Sequence, residues 1–237
     1  MIEAITFDLW NTIFQNKSYS ESRINFLLQY LTSKGFNDDR FLLESCYDHI
    51  FLHIINENTN GNFQHIYNKD RIDKVLKCLK INLSIGEKEE ILEVLESEML
   101  KDPPLMKVGV RDTLSELSPQ YKIGLISNTG ITPGDIIKKV LEKYDILKFF
   151  QVTIFSDEIG YYKPYSLLFQ KALTHLGSKP ENSIHIGDLL FTDIKGAKDY
   201  GMLSIWFNDL DQNRQSEIIP DFEVSDIREI IKIIKSI

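Results

Sequence analysis

The stretch Ala4-Ile5-Thr6-Phe7-Asp8-Leu9-Trp10-Asn11-Thr12 runs from β-prone apolar residues straight into a cluster of polar groups. It reads as a short buried strand that ends in a functional loop. Downstream, from about Ser20 to Lys101, the periodicity becomes helical, with Phe26, Leu27, Tyr30 and Leu31, then Val75, Leu76 and Leu79, then Ile91, Leu92 and Leu95. The Asn- and Gly-rich break Asn58-Thr59-Asn60-Gly61-Asn62 divides this section into two helical pairs, and Asp102-Pro103-Pro104 ends it.

Beyond the prolines, strands alternate with helices. Strands are expected over Lys122 to Ile126, Val152 to Phe155, Ser183 to Ile186 and Met202 to Phe207. The helices between and after them are expected over Gly134 to Tyr144, Pro164 to Leu176, Thr192 to Tyr200 and Asp226 to Ile237. Such alternation implies βαβ units, hence an α/β fold with a mostly parallel, Rossmann-like sheet flanked by helices. The expected organisation is a core of residues 1–17 and 104–237 interrupted by an all-helical cap of residues 18–103.

Ligands of open parallel sheets bind at the carboxyl ends of the strands, where strand order reverses. The residues that follow the expected strands are Asp8 and Thr12, then Ser127 and Asn128, then Asp188, with Asp193 one loop later. Lys163 adds a cation just before the helix opened by Pro164. Carboxylates of Asp8, Asp188 and Asp193 are hard ligands suited to Mg²⁺, which prefers one or two carboxylates plus phosphate oxygens. Ser127 and nearby backbone N–H groups are placed to hold phosphoryl oxygens, and Lys163 offsets the charge that opposes attack by Asp8 on an anion.

These residues resemble the motifs of the haloacid dehalogenase superfamily, and among its members the phosphatase-like ones with a helical cap inserted after the first motif. Phe7 to Thr12 is similar to the first motif, Ile126-Ser127-Asn128-Thr129 to the second, Lys163-Pro164 to the third, and Gly187 to Asp193 to the fourth. The resemblance covers nearly the whole chain. It implies a Mg²⁺-dependent phosphomonoesterase acting on a small phosphorylated metabolite through an aspartyl phosphate. Asp8 is then nucleophile and metal ligand, with the Trp10 carbonyl, Asp188 and Asp193 completing the metal set. Thr12, Ser127 and Asn128 bind substrate, and Lys163 orients nucleophile and phosphate.

The resemblance departs at Trp10, where phosphatases of this family carry a second aspartate that serves as general acid and base. Such help is typically worth about 10²–10⁴ in rate. His49, His53 and His65 of the insertion are the replacements on offer. An aromatic residue there is also similar to the dehalogenases themselves, which displace halide from a 2-haloacid with the same aspartate; Arg23 and Arg40 are the candidate cap arginines for that alternative. A catalytically weak phosphate-binding relative is the third reading.

The formal net charge of -8 gives no global attraction to nucleic acid or to anionic membranes. No apolar run approaches the roughly 20 residues that span a bilayer, and Met1-Ile2-Glu3-Ala4 lacks the basic then apolar order of a secretion signal. The cytoplasm is the expected compartment. Cys46 and Cys78 lack close partners at metal spacing and are expected as buried thiols, with neither a disulfide framework nor a zinc site. The sequence leaves the oligomeric state open.

Overall fold

The computed structural model describes residues 1–36, 39–59, 61–209 and 217–237, with the side chains of residues 50–59 excepted. Six strands form one sheet: β1 (Ala4–Phe7), β2 (Lys122–Ser127), β3 (Val152–Phe155), β4 (Ser183–Gly187), β5 (Leu203–Phe207) and β6 (Phe222–Val224). Their order is β3-β2-β1-β4-β5-β6, and every pairing is parallel. The chain therefore winds outward from β1 in one direction, returns, and winds outward from β4 in the other. Between β1 and β4 the order reverses, and a crevice opens there at the strands' carboxyl ends.

Strands β1, β2 and β4 are buried along almost their whole length, which is why they read as apolar runs rather than alternating ones. Helices cover both faces. One face packs Val110, Leu114, Ile137 and Val140 against Ile5, Phe7, Ile123 and Leu125. On the other, Leu168, Phe169, Ala172 and Ala197 pack against Ala4, Ile126 and Ile154.

Between β1 and β2 lie four long helices, α1 (Ser20–Ser33), α2 (Arg40–Thr59), α3 (Asn68–Cys78) and α4 (Ile85–Lys101), followed by the short α5 (Val110–Leu117). The first four share a core of their own, with Ile24, Leu27, Leu43, Tyr47, Ile72, Val75, Ile91 and Leu95. Helix α4 begins with a capping box: the Ser84 hydroxyl accepts from the Glu87 N–H while the Glu87 carboxylate accepts from Ser84 N–H at 2.9 Å. The remaining helices are α6 (Gly134–Lys143), α7 (Ser156–Ile159), α8 (Ser166–Leu176), α9 (Gly196–Asp199) and α10 (Glu229–Ser236).

The expected helix over Thr192 to Tyr200 is a π-helical turn, Leu190–Lys195, that runs into α9, and the closing helix starts at Glu229 rather than Asp226. Strand β6 and the short helices α5 and α7 were not anticipated. Strand β6 is three residues long and pairs on one side only, too short to show a period; α5 is barely two turns. Among the described residues no helix is long and apolar enough to cross a membrane.

The cysteine expectation is overturned. Cys46 on α2 and Cys78 at the end of α3 form a disulfide, their Cα atoms 5.8 Å apart across 32 residues of chain. Antiparallel packing of the two helices creates that proximity, so local spacing could not announce it. A bridge closing a loop of this length restricts the unfolded chain, and Cys78→Ser is expected to cost about 2–4 kcal/mol of stability. Denaturant unfolding with and without dithiothreitol checks this: the reductant should lower the wild-type midpoint and leave that of Cys78→Ser unmoved.

Candidate active site

Three of the sequence candidates meet around one buried cation. The Lys163 ammonium, 2% exposed, lies 2.6 Å from Asp8 Oδ1 and 2.7 Å from Asp193 Oδ1, and donates to the Ile126 carbonyl at 2.9 Å. Its backbone is held as firmly: Lys163 N–H donates to Asn128 Oδ1 at 2.7 Å, and Asn128 Nδ2 donates back to the Lys163 carbonyl at 3.4 Å. The ends of β1, β2 and β4 thus converge on one side chain from the β3–α8 connection.

Asp193 has little left to offer. Oδ1 faces Lys163, with His185 Nε2 at 3.7 Å, and Oδ2 accepts from the Leu189 N–H at 2.9 Å. The His185 ring is fixed on its other side by the Thr6 hydroxyl, 2.9 Å from Nδ1. Gly187 makes room for this arrangement, since a Cβ there would stand 2.4 Å from the Asp193 side chain. Asp188 is half-buried and accepts from Asn11 Nδ2 at 3.1 Å. Asn11 adopts the left-handed conformation, φ 55°, that asparagine tolerates, and its Oδ1 accepts from the Asn16 N–H at 3.1 Å.

A cavity of about 310 Å³ opens on Asp8, Trp10, Asn128, Lys163 and Asp188, with Asn11, Asn16, Leu189 and Thr192 completing its wall. The Trp10 indole N–H donates to the Asn128 carbonyl at 3.2 Å. Thr12 and Ser127 are fully buried and do not line this cavity: the Thr12 hydroxyl donates to Asp8 Oδ2 at 3.4 Å, and Ser127 Oγ donates to the Asn128 carbonyl at 3.3 Å.

The cap residues considered from sequence fall elsewhere. His49 is exposed and lines a different surface hollow with Phe41 and Cys78. His65 is buried, 3.2 Å from Ser156 Oγ, and burial followed by the Arg71 charge pushes its pKa down to about 4. The His53 side chain lies outside the described residues. Arg40 is committed on the surface to Glu21 and Glu44, and Arg23 is buried beside Thr132 rather than at Asp8. Asn11, Asn16 and His185 were not singled out in the sequence. Asn11 sits inside the first motif, but nothing local distinguished it from a turn residue.

Electrostatics follow from the crowding. Burial, then repulsion from Asp193 and Asp188 against the pull of Lys163, pushes Asp8 up to about 8. Asp188 is pushed up to about 6 by burial and by Asp193. Burial alone would lower the Lys163 ammonium and raise Asp193, yet their mutual attraction outweighs it, holding Lys163 above and Asp193 below their ordinary values. Carboxylate oxygens of Asp8, Asp188 and Asp193 all lie within 4.8 Å of one another. A hard donor set with excess negative charge fits a divalent cation such as Mg²⁺.

A parallel sheet carrying clustered aspartates and a buried lysine at its switch point defines an α/β protein with an acidic, metal-suited site. The chain belongs to the haloacid dehalogenase-like hydrolases, whose family model matches residues 2–201. Among curated proteins it is similar to the glyceraldehyde 3-phosphate phosphatase of Pyrococcus furiosus, 30% identical over 211 residues covering 87% of this chain and 80% of the relative. The enzyme of the same name from Pyrococcus abyssi is 29% identical over 212 residues, covering 87% and 82%. Among solved structures, the 2-haloacid dehalogenase of Pseudomonas syringae aligns with a TM-score of 0.69 at 17% identity, covering 100% of this chain and 99% of that one. The magnesium-bound HAD hydrolase YfnB of Bacillus subtilis aligns with a TM-score of 0.65 at 19% identity, covering 98% of each. At such identities the structural likeness shows the fold alone.

Because the folded-state pKa values of Asp8 and Asp188 are raised above the ordinary 3.8, these two groups bind more protons folded than unfolded between about pH 4 and 8, while the buried His65 and His185, held below their ordinary 6.5, do the opposite on the acidic side of that value. Metal-free stability should therefore fall as pH rises from about 6.5, where the histidines no longer contribute, through about 8, where Asp8 ionises. At pH 7.5, Asp188→Asn is expected to stabilise the metal-free protein by about 1–2 kcal/mol, or roughly 3–6 °C in Tm. Thermal melts in EDTA across this range check it; a wild-type Tm that rose between pH 6.5 and 8 would exclude the repulsion described.

Proposed function

We propose that this chain is a Mg²⁺-dependent phosphomonoesterase acting on a small phosphorylated metabolite, with Asp8 as nucleophile. The observation that carries the reading is the clustering of Asp8, Asp188 and Asp193 with Lys163, where Asp8, Asp188 and Lys163 line one cavity. Phosphatase names among relatives that match most of the chain support it.

Asp8 and Asp188 would hold the metal, together with the Trp10 backbone carbonyl; Asp193, with both oxygens engaged, would act through water. Bound there, Mg²⁺ supplies the positive charge that lets an anionic ester approach a carboxylate. Lys163 fixes Oδ1 of Asp8, leaving Oδ2, with the Thr12 hydroxyl beside it, to attack phosphorus. The ester P–O bond breaks, the alcohol departs with the electron pair, and water then cleaves the aspartyl phosphate to release inorganic phosphate. Lys163 offsets charge that accumulates on the transferring group.

No group near Trp10 is suited to protonate the departing oxygen, since the described cavity wall offers only amides, a hydroxyl, an indole and the residues already assigned. Activated leaving groups should consequently react best. Helices α1 to α4, within residues 18–103, would form a cap that excludes water from the site. The dehalogenase alternative gains no support from the arginines, neither of which lines the Asp8 cavity.

Purified protein should release p-nitrophenol from p-nitrophenyl phosphate with Mg²⁺ and lose that activity in EDTA. Asp8→Asn should reduce it by about 10³-fold or more. Trp10→Asp should accelerate hydrolysis of alkyl phosphates far more than of p-nitrophenyl phosphate, within the roughly 10²–10⁴ attributable to general acid catalysis. Full wild-type activity in EDTA, or in Asp8→Asn, would overturn the proposal.

A further inference from the structure

A second cavity, of about 380 Å³, adjoins the first and shares Trp10, Asn16 and Asn128 with it. Its remaining wall comes from the linker into α1 and from the loop after β2, and includes Lys17, Arg23 and Thr132. No aspartate or glutamate lines it, in a chain of net charge -8, whereas the Asp8 cavity carries two. Charge is thus segregated between neighbouring compartments: acids and a metal-type donor set in one, and in the other Arg23 with neutral polar groups, the Lys17 ammonium being paired with Asp102.

Arg23 is the unusual member. It is 7% exposed, and its hydrogen bonds go to uncharged oxygens: Nε to the Leu95 carbonyl at 2.9 Å and Nη2 to the Thr132 hydroxyl at 2.7 Å, with the Tyr47 hydroxyl a further partner. The Tyr19 ring lies 5.5 Å from its guanidinium carbon, and Glu98, the acid nearest in effect, is paired with Lys101. Guanidinium keeps its charge when buried. A buried cation held by neutral partners is costly in the free protein and becomes favourable when an anion arrives, and its planar fork suits a carboxylate or phosphate.

We propose that this second cavity receives the end of the substrate remote from the scissile phosphate, and that Arg23 selects phosphate monoesters bearing a second anionic group such as a carboxylate. The inference rests on the phosphatase reading and names the substrate class for that site. It differs from what the name of the glyceraldehyde 3-phosphate phosphatases would suggest, since glyceraldehyde 3-phosphate ends in an uncharged carbonyl.

The test compares kcat/KM for 3-phosphoglycerate with that for glycerol 3-phosphate, which share a three-carbon phosphate ester and differ in the charge of the far end. Glyceraldehyde 3-phosphate and p-nitrophenyl phosphate are assayed alongside. In wild type the carboxylate should be favoured over both neutral-ended esters by about tenfold or more, chiefly through KM. Arg23→Gln should bring the ratio to within about twofold of one. A ratio taken within one preparation is insensitive to a partly unfolded fraction. Equal wild-type values, a preference for the neutral ends, or an unchanged ratio in Arg23→Gln would overturn the inference while hydrolysis of p-nitrophenyl phosphate upheld the phosphatase reading. Failure to hydrolyse any of the four would overturn both.

Discussion

The ammonium of Lys163 is the group on which the rest of the site depends. Three carboxylates within 4.8 Å of one another cannot be buried together without a compensating charge, because desolvation and mutual repulsion each cost several kcal/mol at close range. Lys163 supplies the only compensation the chain itself provides among the described cavity residues, touching Asp8 and Asp193 at once. Much of the surrounding structure serves to keep it there. Asn128 fixes its backbone from the end of β2, the Ile126 carbonyl takes its third proton, and Gly187 gives Asp193 space to reach it from beyond β4. One cation leaves an excess of negative charge, which is why Asp8 and Asp188 remain raised and why the cavity suits a further, external cation.

Trp10 separates the two cavities as much as it lines them. Its indole N–H is tied to the Asn128 carbonyl, so the residue that departs from the phosphatase pattern is anchored to the same asparagine that positions Lys163. An aspartate there would add a fourth carboxylate to a crowded acidic compartment. The aromatic ring instead gives an apolar, hydrogen-bonded partition between that compartment and the one containing Arg23 and Lys17. Both walls of this partition, β1's loop and β2's loop, are parts of the sheet's switch point, so the division is built into the topology.

The sheet and the acidic cluster were legible because they rest on local signals. Apolar runs ended by Asp8, Ser127 and Asp188 mark strand tips wherever they occur, and parallel topology then forces those tips together. What stayed hidden depends on contacts between elements. Cys46 and Cys78 meet only because α2 and α3 pack side by side. His185 reads as one more polar residue in a strand, and its place under Asp193 is set by the fold of the loop after Gly187. Thr12 and Ser127 sit at the positions their motifs indicate, yet burial turns their hydroxyls toward Asp8 and the backbone. Arg23 looked like one surface arginine among others until α1 was docked against α4 and the loop after β2.

The helical segment is joined to the sheet at a third point besides its two covalent links. Gln64 forms an antiparallel bridge with Tyr161, His65 N–H donates to the Gly160 carbonyl at 2.9 Å, and Tyr162 N–H donates to the Phe63 carbonyl at 2.7 Å. Arg71 of α3 then donates to the Tyr162 hydroxyl at 2.6 Å. The chain segment so gripped is the one that continues directly into Lys163. A rigid rotation of the four helices about the linkers alone would have to break these main-chain bonds, or carry residues 160–162 along and pull on the backbone of the ammonium that holds Asp8. Helix position and the geometry of Asp8 are therefore mechanically linked through three residues, and small displacements of α3 reach its carboxylate without crossing the sheet.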